Sequence, residues 1–235
     1  MNRDLFLALI LSRAFLGLFA IAEVLYHFFK VKAELTRKLV HFGTGILSLL
    51  FPVLLSSHWY VLLLCAAFLV ILIASLKFNL LKSINAIDRK SYGSLCYPLA
   101  VYSCFLIHSW YGKQSNFYGG YLIYYLPLLI LAISDPLAAL IGKKWKWRPF
   151  KVGKGTKTLG GSMTFFFSAW VISLFAFYAF QIVLPGQFIL LSGLLIAFLT
   201  AISEAVSRNG LDNLFIPLVG ASAVYACLIL FTANG

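Results

Sequence analysis

The sequence offers few side chains able to do acid–base or metal chemistry, so each can be weighed singly. Seven acids occur in 235 residues: Asp4, Glu23, Glu34, Asp88, Asp135, Glu204 and Asp212. An acid in or beside a long apolar run is costly unless it is paired, hydrated or bound to a cation. Asp135, Glu204 and Asp212 all stand at the ends of such runs. The apolar run continues beyond Asp135 through residues 137–141, and Asp135-Pro136 predicts a broken helix there, because proline lacks an N–H and crowds the preceding turn. A broken helix carrying a carboxylate can line a polar cavity. On a continuing helix Glu204, Ser207 and Arg208 share one face, and Asn209-Gly210 then supplies a stop. The ordinary reading of Glu204 is a pair with Arg208, and that of Asp212 is a cap on the next helix. Neither explains why three carboxylates gather at one end of the apolar runs.

Cations gather with them. Arg37 and His41 lie at i, i+4, with Lys38 between them and Gly43-Thr44-Gly45 following. Residues 151–162 hold Gly153, Lys154, Gly155, Lys157, Thr158 and Ser162 and run directly into an apolar helix. Glycines let backbone N–H groups approach an anion, a helix N-terminus adds partial positive charge, and Lys157 can neutralise phosphate. The P-loop spacing is absent, and no strand is expected before the stretch. Carboxylates able to hold Mg²⁺, a Gly/Lys segment for phosphates and a position at a lipid boundary together point to phosphate chemistry between a soluble nucleotide and a lipid.

The elements that must position these groups are membrane-spanning helices. The chain is 62% hydrophobic and 11% charged, with a mean hydropathy of +0.93. A spanning helix needs about 20 mostly apolar residues. Eight stretches qualify, at roughly 5–29, 39–56, 58–76, 95–111, 119–141, 160–184, 187–206 and 213–232. Runs such as residues 61–64 are apolar on every side, unlike the alternation of a lipid-facing barrel strand. The expected fold is therefore all-α: a polytopic transmembrane bundle of about eight spans forming one domain over 1–235, with a Gly/Lys-rich loop at 142–158. Arg13 interrupts the first run and argues against a cleaved signal; as a lone base within a span it is expected to face the bundle or water.

The net charge of +12 reads as topology rather than as nucleic-acid binding. With eight spans, sixteen Lys and Arg residues fall in loops on one side and only Arg3 and Lys113 on the other. Cytosolic loops collect such residues, so both termini are expected outside the cytosol and the reactive face inside it, in a bacterial inner membrane. Cys65, Cys96, Cys104 and Cys227 lack ligand spacing and read as packing residues. His27, His58 and His108 sit near span ends, where an amphipathic ring is at home.

Five ordered blocks carry a family resemblance. Glu34–Gly45 resembles the opening motif of the family that contains phytol kinase, dolichol kinase and the CTP-dependent diacylglycerol kinase. Arg89–Gly93, Asp135–Gly142, Lys157–Ser162 and Glu204–Pro217 are similar to its later blocks, in the expected order. The short chain is closest to the phytol-kinase-like members. The resemblance implies transfer of the γ-phosphoryl group of CTP, or another nucleoside triphosphate, with Mg²⁺, to the hydroxyl of a membrane-embedded isoprenoid alcohol of the phytol or polyprenol type or of diacylglycerol. It implies Asp135 and Asp212 as metal ligands, Glu204 completing the metal shell or orienting the hydroxyl, and Lys157 with Gly153, Gly155, Thr158 and Ser162 receiving phosphates. Arg37, Lys38 and His41 would hold nucleotide phosphate or the transferring group, with His41 a second candidate for proton acceptance, and Asn213 would support Asp212. One departure stands out: many relatives carry Glu where this chain has Gly160. Two rival classes remain, a phosphatidate cytidylyltransferase-like enzyme, whose C-terminal signature is missing, and a transporter, which would call for acids near mid-membrane and a repeat of spans.

Overall fold

A computed structural model describes residues 2–86, 91–111, 117–153, 155–182 and 184–232. Asp88, Arg89, Lys90, Lys113 and Lys154 lie outside the described residues. The chain forms α1 (Arg3–His27), α2 (Ala33–Ser48), the single turn α3 (Phe51–Leu54), α4 (His58–Lys77), the single turn α5 (Lys82–Asn85), α6 (Gly93–Tyr111) and α7 (Phe117–Leu129). A π-helical segment, Ile130–Ser134, joins α7 to α8 (Asp135–Lys144). A hairpin of β1 (Pro149–Val152) and β2 (Gly155–Thr158) follows, then α9 (Leu159–Ala179), α10 (Gly186–Val206) and α11 (Asp212–Thr232).

Among the described residues seven helices are long and apolar enough to cross a membrane, against the eight expected. The difference is α6. Its glycine, tyrosines, serines and His108 make it less apolar than its neighbours. It nevertheless runs the length of the bundle beside α11. At its start Asn213 Nδ2 donates to Gly93 O at 2.9 Å, and at its end the Tyr111 and Tyr225 rings stand 5.5 Å apart. Packed against α4, α7 and α11, it buries Gly93, Tyr97 and Tyr111 and presents Leu99, Leu106 and Trp110 outward.

Burial follows helix periodicity. The inward stripe of α1 is Asp4, Ala8, Leu11, Phe15, Phe19 and Ala22, which leaves Arg13 on the exposed outer side. Of the two positions expected for Arg13, the bundle interior and water, the phase of this stripe excludes the bundle interior. At the same end of the bundle Asp4 Oδ2 accepts from Ser56 N at 3.1 Å, Ser56 Oγ at 2.7 Å and Ser57 N at 3.2 Å. That carboxylate is occupied in tying the α3–α4 turn to the start of α1. The start of α1 and the described end of α11 lie on this face, away from the acids expected to react.

The opposite end is held together by α5. Glu23 Oε1 accepts from Ser83 N at 2.9 Å, while Thr36 Oγ1 donates to Ser83 O at 2.6 Å, so the end of α1 and the start of α2 are fixed to one turn. Helix α2 approaches the π-helical segment closely at Gly45, where an added Cβ would stand 2.6 Å from Ala132 Cβ. Helices α8 and α9 also meet at glycines: a Cβ added at Gly161 would stand 3.0 Å from Ala138 O and 3.5 Å from Gly142 Cα. All four cysteines are buried and free, as packing residues should be.

Candidate active site

The helix expected to break at Asp135 does not break. Residues 119–144 continue as one span of 26 residues, and the π-helical segment absorbs the proline instead. Pro136 offers no N–H to the preceding turn, and its ring crowds the carbonyl of Ala132, so the widened turn relieves both constraints. A carbonyl freed there finds a side-chain donor: His41 Nε2 lies 3.1 Å from Leu131 O. A carbonyl only accepts, so Nε2 carries the hydrogen and Nδ1 is the ring atom able to receive a proton. The backbone irregularity at Pro136 thereby sets the tautomer of His41 on another helix.

Immediately after the π segment, Asp135 enters a polar cavity at this end of the bundle, with about 1050 Å³ of void counting its mouth. Arg37, Lys38 and His41 reach it from α2, Thr156, Lys157 and Thr158 from β2, Gly161 and Ser162 from the start of α9, Glu204 from the end of α10, and Asp212 and Asn213 from the start of α11. Ten of the residues expected at the site are thus brought together, though they span Arg37 to Asn213 in sequence. The N-termini of α9 and α11 both open toward this cavity and bring partial positive charge with them.

Gly153 and Gly155 are not at the cavity wall. The stretch expected as a loop at 142–158 begins in helix, since α8 reaches Lys144, and ends in an antiparallel hairpin. Gly153, with φ at +60°, makes the hairpin turn and packs near Arg208. Pairing of Phe150 with Lys157 puts Lys157 far enough back from that turn to reach the acids. Thr158 caps α9, its Oγ1 accepting from Gly161 N at 3.1 Å. Gly160 faces Trp145 and Trp147 of the segment before the hairpin rather than the cavity.

The acids divide by what already holds them. Glu34 pairs with Lys143 at the rim. Helix α10 stops at Val206, with Ser207 extended, so Glu204 and Arg208 do not share a helical face as expected. Glu204 turns to Lys157, whose Nζ lies 2.6 Å from its Oε1 and also donates to its carbonyl oxygen, and Ser162 Oγ donates to Oε2 at 3.3 Å. Lys157 Nζ also stands 3.8 Å from Asp212 Oδ2. Asp212 Oδ1 accepts from Asn213 N at 3.1 Å, a partial cap of α11. No hydrogen bond or ion pair reaches Asp135 among the described residues, although Asp212 and Glu204 are close enough to repel its charge and Lys157 and Lys38 to attract it.

Among the described residues no three His, Cys, Asp or Glu side chains form a ready-made metal cage. The donor chemistry nevertheless fits a hard cation. Asp135 and Asp212 offer carboxylate oxygens not consumed by a close ion pair, and Mg²⁺ is ordinarily held by one or two carboxylates together with waters and substrate phosphates.

Three further residues contribute, of which Ser91 belongs to the Arg89–Gly93 block. Ser91 Oγ accepts from Arg37 Nη2 at 2.7 Å and fixes that guanidinium beside the cavity. The Ser134 hydroxyl, next to Asp135, is fully buried without a hydrogen-bond partner among the described residues. Tyr97 packs edge-on to His41, ring centroids 5.1 Å apart, and its buried hydroxyl also lacks a hydrogen-bond partner among the described residues. Only the helical phase of Tyr97, facing α2 across the bundle, could have indicated it.

Fold and site together define a multi-pass helical membrane protein with a mixed carboxylate and lysine/arginine cavity at one end of the bundle. The chain is 28% identical over 239 residues to a phytol kinase from Synechocystis sp., a match covering 96% of this chain and 94% of that protein. This similarity supports the phytol kinase and polyprenol kinase family that the sequence blocks resemble. No protein-family model and no solved structure matches the chain.

Proposed function

We propose that this protein is a lipid-alcohol kinase, transferring the γ-phosphoryl group of CTP, or another nucleoside triphosphate, to the hydroxyl of a membrane-embedded isoprenoid alcohol of the phytol or polyprenol type. The observation that carries this reading is the convergence of Asp135, Asp212, Lys157, Arg37 and His41 on one cavity at the end of a membrane bundle. The full-length similarity to a phytol kinase supports it.

In this reading Lys157, Arg37 and Lys38 bind the nucleotide's phosphates, helped by the N-terminus of α9. Asp135 and Asp212 hold Mg²⁺, which supplies charge neutralisation on the phosphates when bound. The alcohol oxygen forms a bond to the γ-phosphorus as the bond to the bridging oxygen breaks and the nucleoside diphosphate leaves. His41 Nδ1 or the Asp135 carboxylate takes the hydroxyl proton. The pairing of Glu204 with Lys157 favours a positioning role for Glu204, holding the ammonium where Asp212 also feels it. Phosphoryl transfer asks little covalent work of a protein, so placement and charge account for most of the catalysis.

CTP labelled separately at the γ and α phosphorus tests the reaction against a cytidylyl transfer. Label from the γ position is expected in the lipid product; label from the α position instead would make the enzyme a cytidylyltransferase. Nucleotide-independent flux of a solute in proteoliposomes would revive the transporter.

The distribution of Lys and Arg supports placing the cavity at the cytosolic face of a bacterial inner membrane. With all four native cysteines buried, Lys146→Cys gives one exposed thiol beside the cavity. A membrane-impermeant maleimide should label it in inside-out vesicles and not in right-side-out ones; the reverse pattern would invert the topology.

A further inference from the structure

A second cavity adjoins the charged one and differs from it in kind. It lies inside the bundle between α1, α2, α4 and α6, with about 690 Å³ of void counting its mouth. Its wall is made by side chains such as Phe15, Phe19, Leu64, Phe68 and Val101. Phe15, Phe19, Phe51 and Phe68 form one aromatic cluster along it, with centroids 4.9–6.0 Å apart in the contacting pairs. Arg37, His41 and Asn213 line both cavities, so they form the doorway between an apolar chamber and the phosphate side. Beside that doorway stands the Tyr97 hydroxyl, 5% exposed as a residue and without a hydrogen-bond partner among the described residues. A buried hydroxyl left unpaired costs free energy, so a bound group that pairs with it is favoured there.

We propose that the acceptor alcohol binds tail-first in this inner cavity, with its hydroxyl placed between Tyr97 and His41 at the doorway. This rests on the kinase reading and goes beyond it by naming where the tail lies and which lipid shape it admits. The cavity follows α2 from Arg37 to Ser48, about 16 Å at the helical rise, so it runs parallel to the helices rather than across them. One tail of limited length enters such a chamber. A single-chain isoprenoid alcohol suits it, whereas diacylglycerol would have to leave one of its two tails outside. The Tyr97 hydroxyl donates to the alcohol oxygen, and the alcohol O–H then faces His41 Nδ1, the ring atom not committed to Leu131.

A C20 prenyl alcohol carrying a terminal diazirine, irradiated with the purified protein in the absence of nucleotide, tests tail placement without relying on catalysis. Adducts are expected on inward residues such as Leu64 and Val101; adducts confined to outward residues such as Leu63 and Leu99 would overturn the proposal. Val101→Trp, which fills the deep end, should lower kcat/KM for the C20 alcohol at least about tenfold relative to a C10 alcohol. Tyr97→Phe keeps the ring and should raise KM for the alcohol about tenfold while leaving KM for the nucleotide unchanged. Unchanged alcohol kinetics in that variant, or equal losses for C10 and C20 in Val101→Trp, count against the placement. Inner-cavity labelling without phosphoryl transfer to any alcohol would sink the kinase reading and leave the tail site standing.

Discussion

Asp135→Ala is expected to lower kcat for phosphoryl transfer by at least about 10²–10³-fold, a loss typical of removing a major electrostatic element from a preorganised site. The same substitution is expected to leave the melting temperature unchanged or to raise it. The two effects have one cause. Asp135 makes no hydrogen bond or ion pair among the described residues, yet it stands close to the like charges of Asp212 and Glu204. Such a group contributes repulsion and desolvation to the folded state and contributes function only when a cation and phosphates arrive. Removing it relieves the repulsion and removes the chemistry. Turnover of γ-labelled CTP, followed beside thermal unfolding of the same detergent-solubilised sample, reads both. Substantial activity in a folded Asp135→Ala protein would remove Asp135 from the mechanism. A large fall in melting temperature would make the residue structural instead.

How much of this was legible in the sequence depends on the scale at which each feature is set. The spans follow from composition, since a lipid-embedded helix must be apolar over about 20 residues whatever its neighbours are. Helix α6 stands apart because much of its surface packs on α4, α7 and α11, which relaxes that demand and admits its tyrosines, serines and His108, while Leu99, Leu106 and Trp110 still face outward. Asp135, Glu204 and Asp212 stood out because acids are rare and costly at apolar runs, and the bundle does bring all three to one cavity. Local partners were less readable. Helical spacing pairs Glu204 with Arg208, but α10 ends before that spacing applies and Lys157 arrives from the hairpin. The break foreseen at Pro136 became a π turn because α2, brought close by Gly45, supplies His41 to the Leu131 carbonyl. No rule confined to the neighbourhood of Pro136 contains that donor. Tyr97 was invisible for the same reason: an ordinary tyrosine in an apolar helix becomes notable only when its hydroxyl lacks a partner beside a doorway.

Lys157 is the other residue whose removal should have a large effect, and here stability and activity should fall together. Its ammonium is the counter-charge of Glu204, whose side chain is 9% exposed, and lies within 3.8 Å of Asp212. Lys157→Ala therefore leaves a nearly buried carboxylate uncompensated. The cost is about 3 kcal/mol, at the lower end for a broken buried pair because a fifth of the lysine side chain remains in contact with solvent. Activity should fall at least about 100-fold as the phosphates lose their nearest cation. The double variant Lys157→Ala/Glu204→Gln separates the two roles. Neutralising Glu204 removes the stranded charge, so most of the lost stability should return, and the two substitutions should be strongly non-additive because they share one interaction. Activity should not return, because no cation has been restored to the cavity. Glu204→Gln alone should melt close to the parent, since the amide oxygen can still accept from Lys157 and the amide nitrogen can donate to the Ser162 hydroxyl, and should retain measurable turnover if Glu204 positions the lysine. Recovery of activity in the double variant would mean that Lys157 serves only to neutralise Glu204. Loss of all turnover in Glu204→Gln, with Lys157 still in place, would instead return Glu204 to the metal shell.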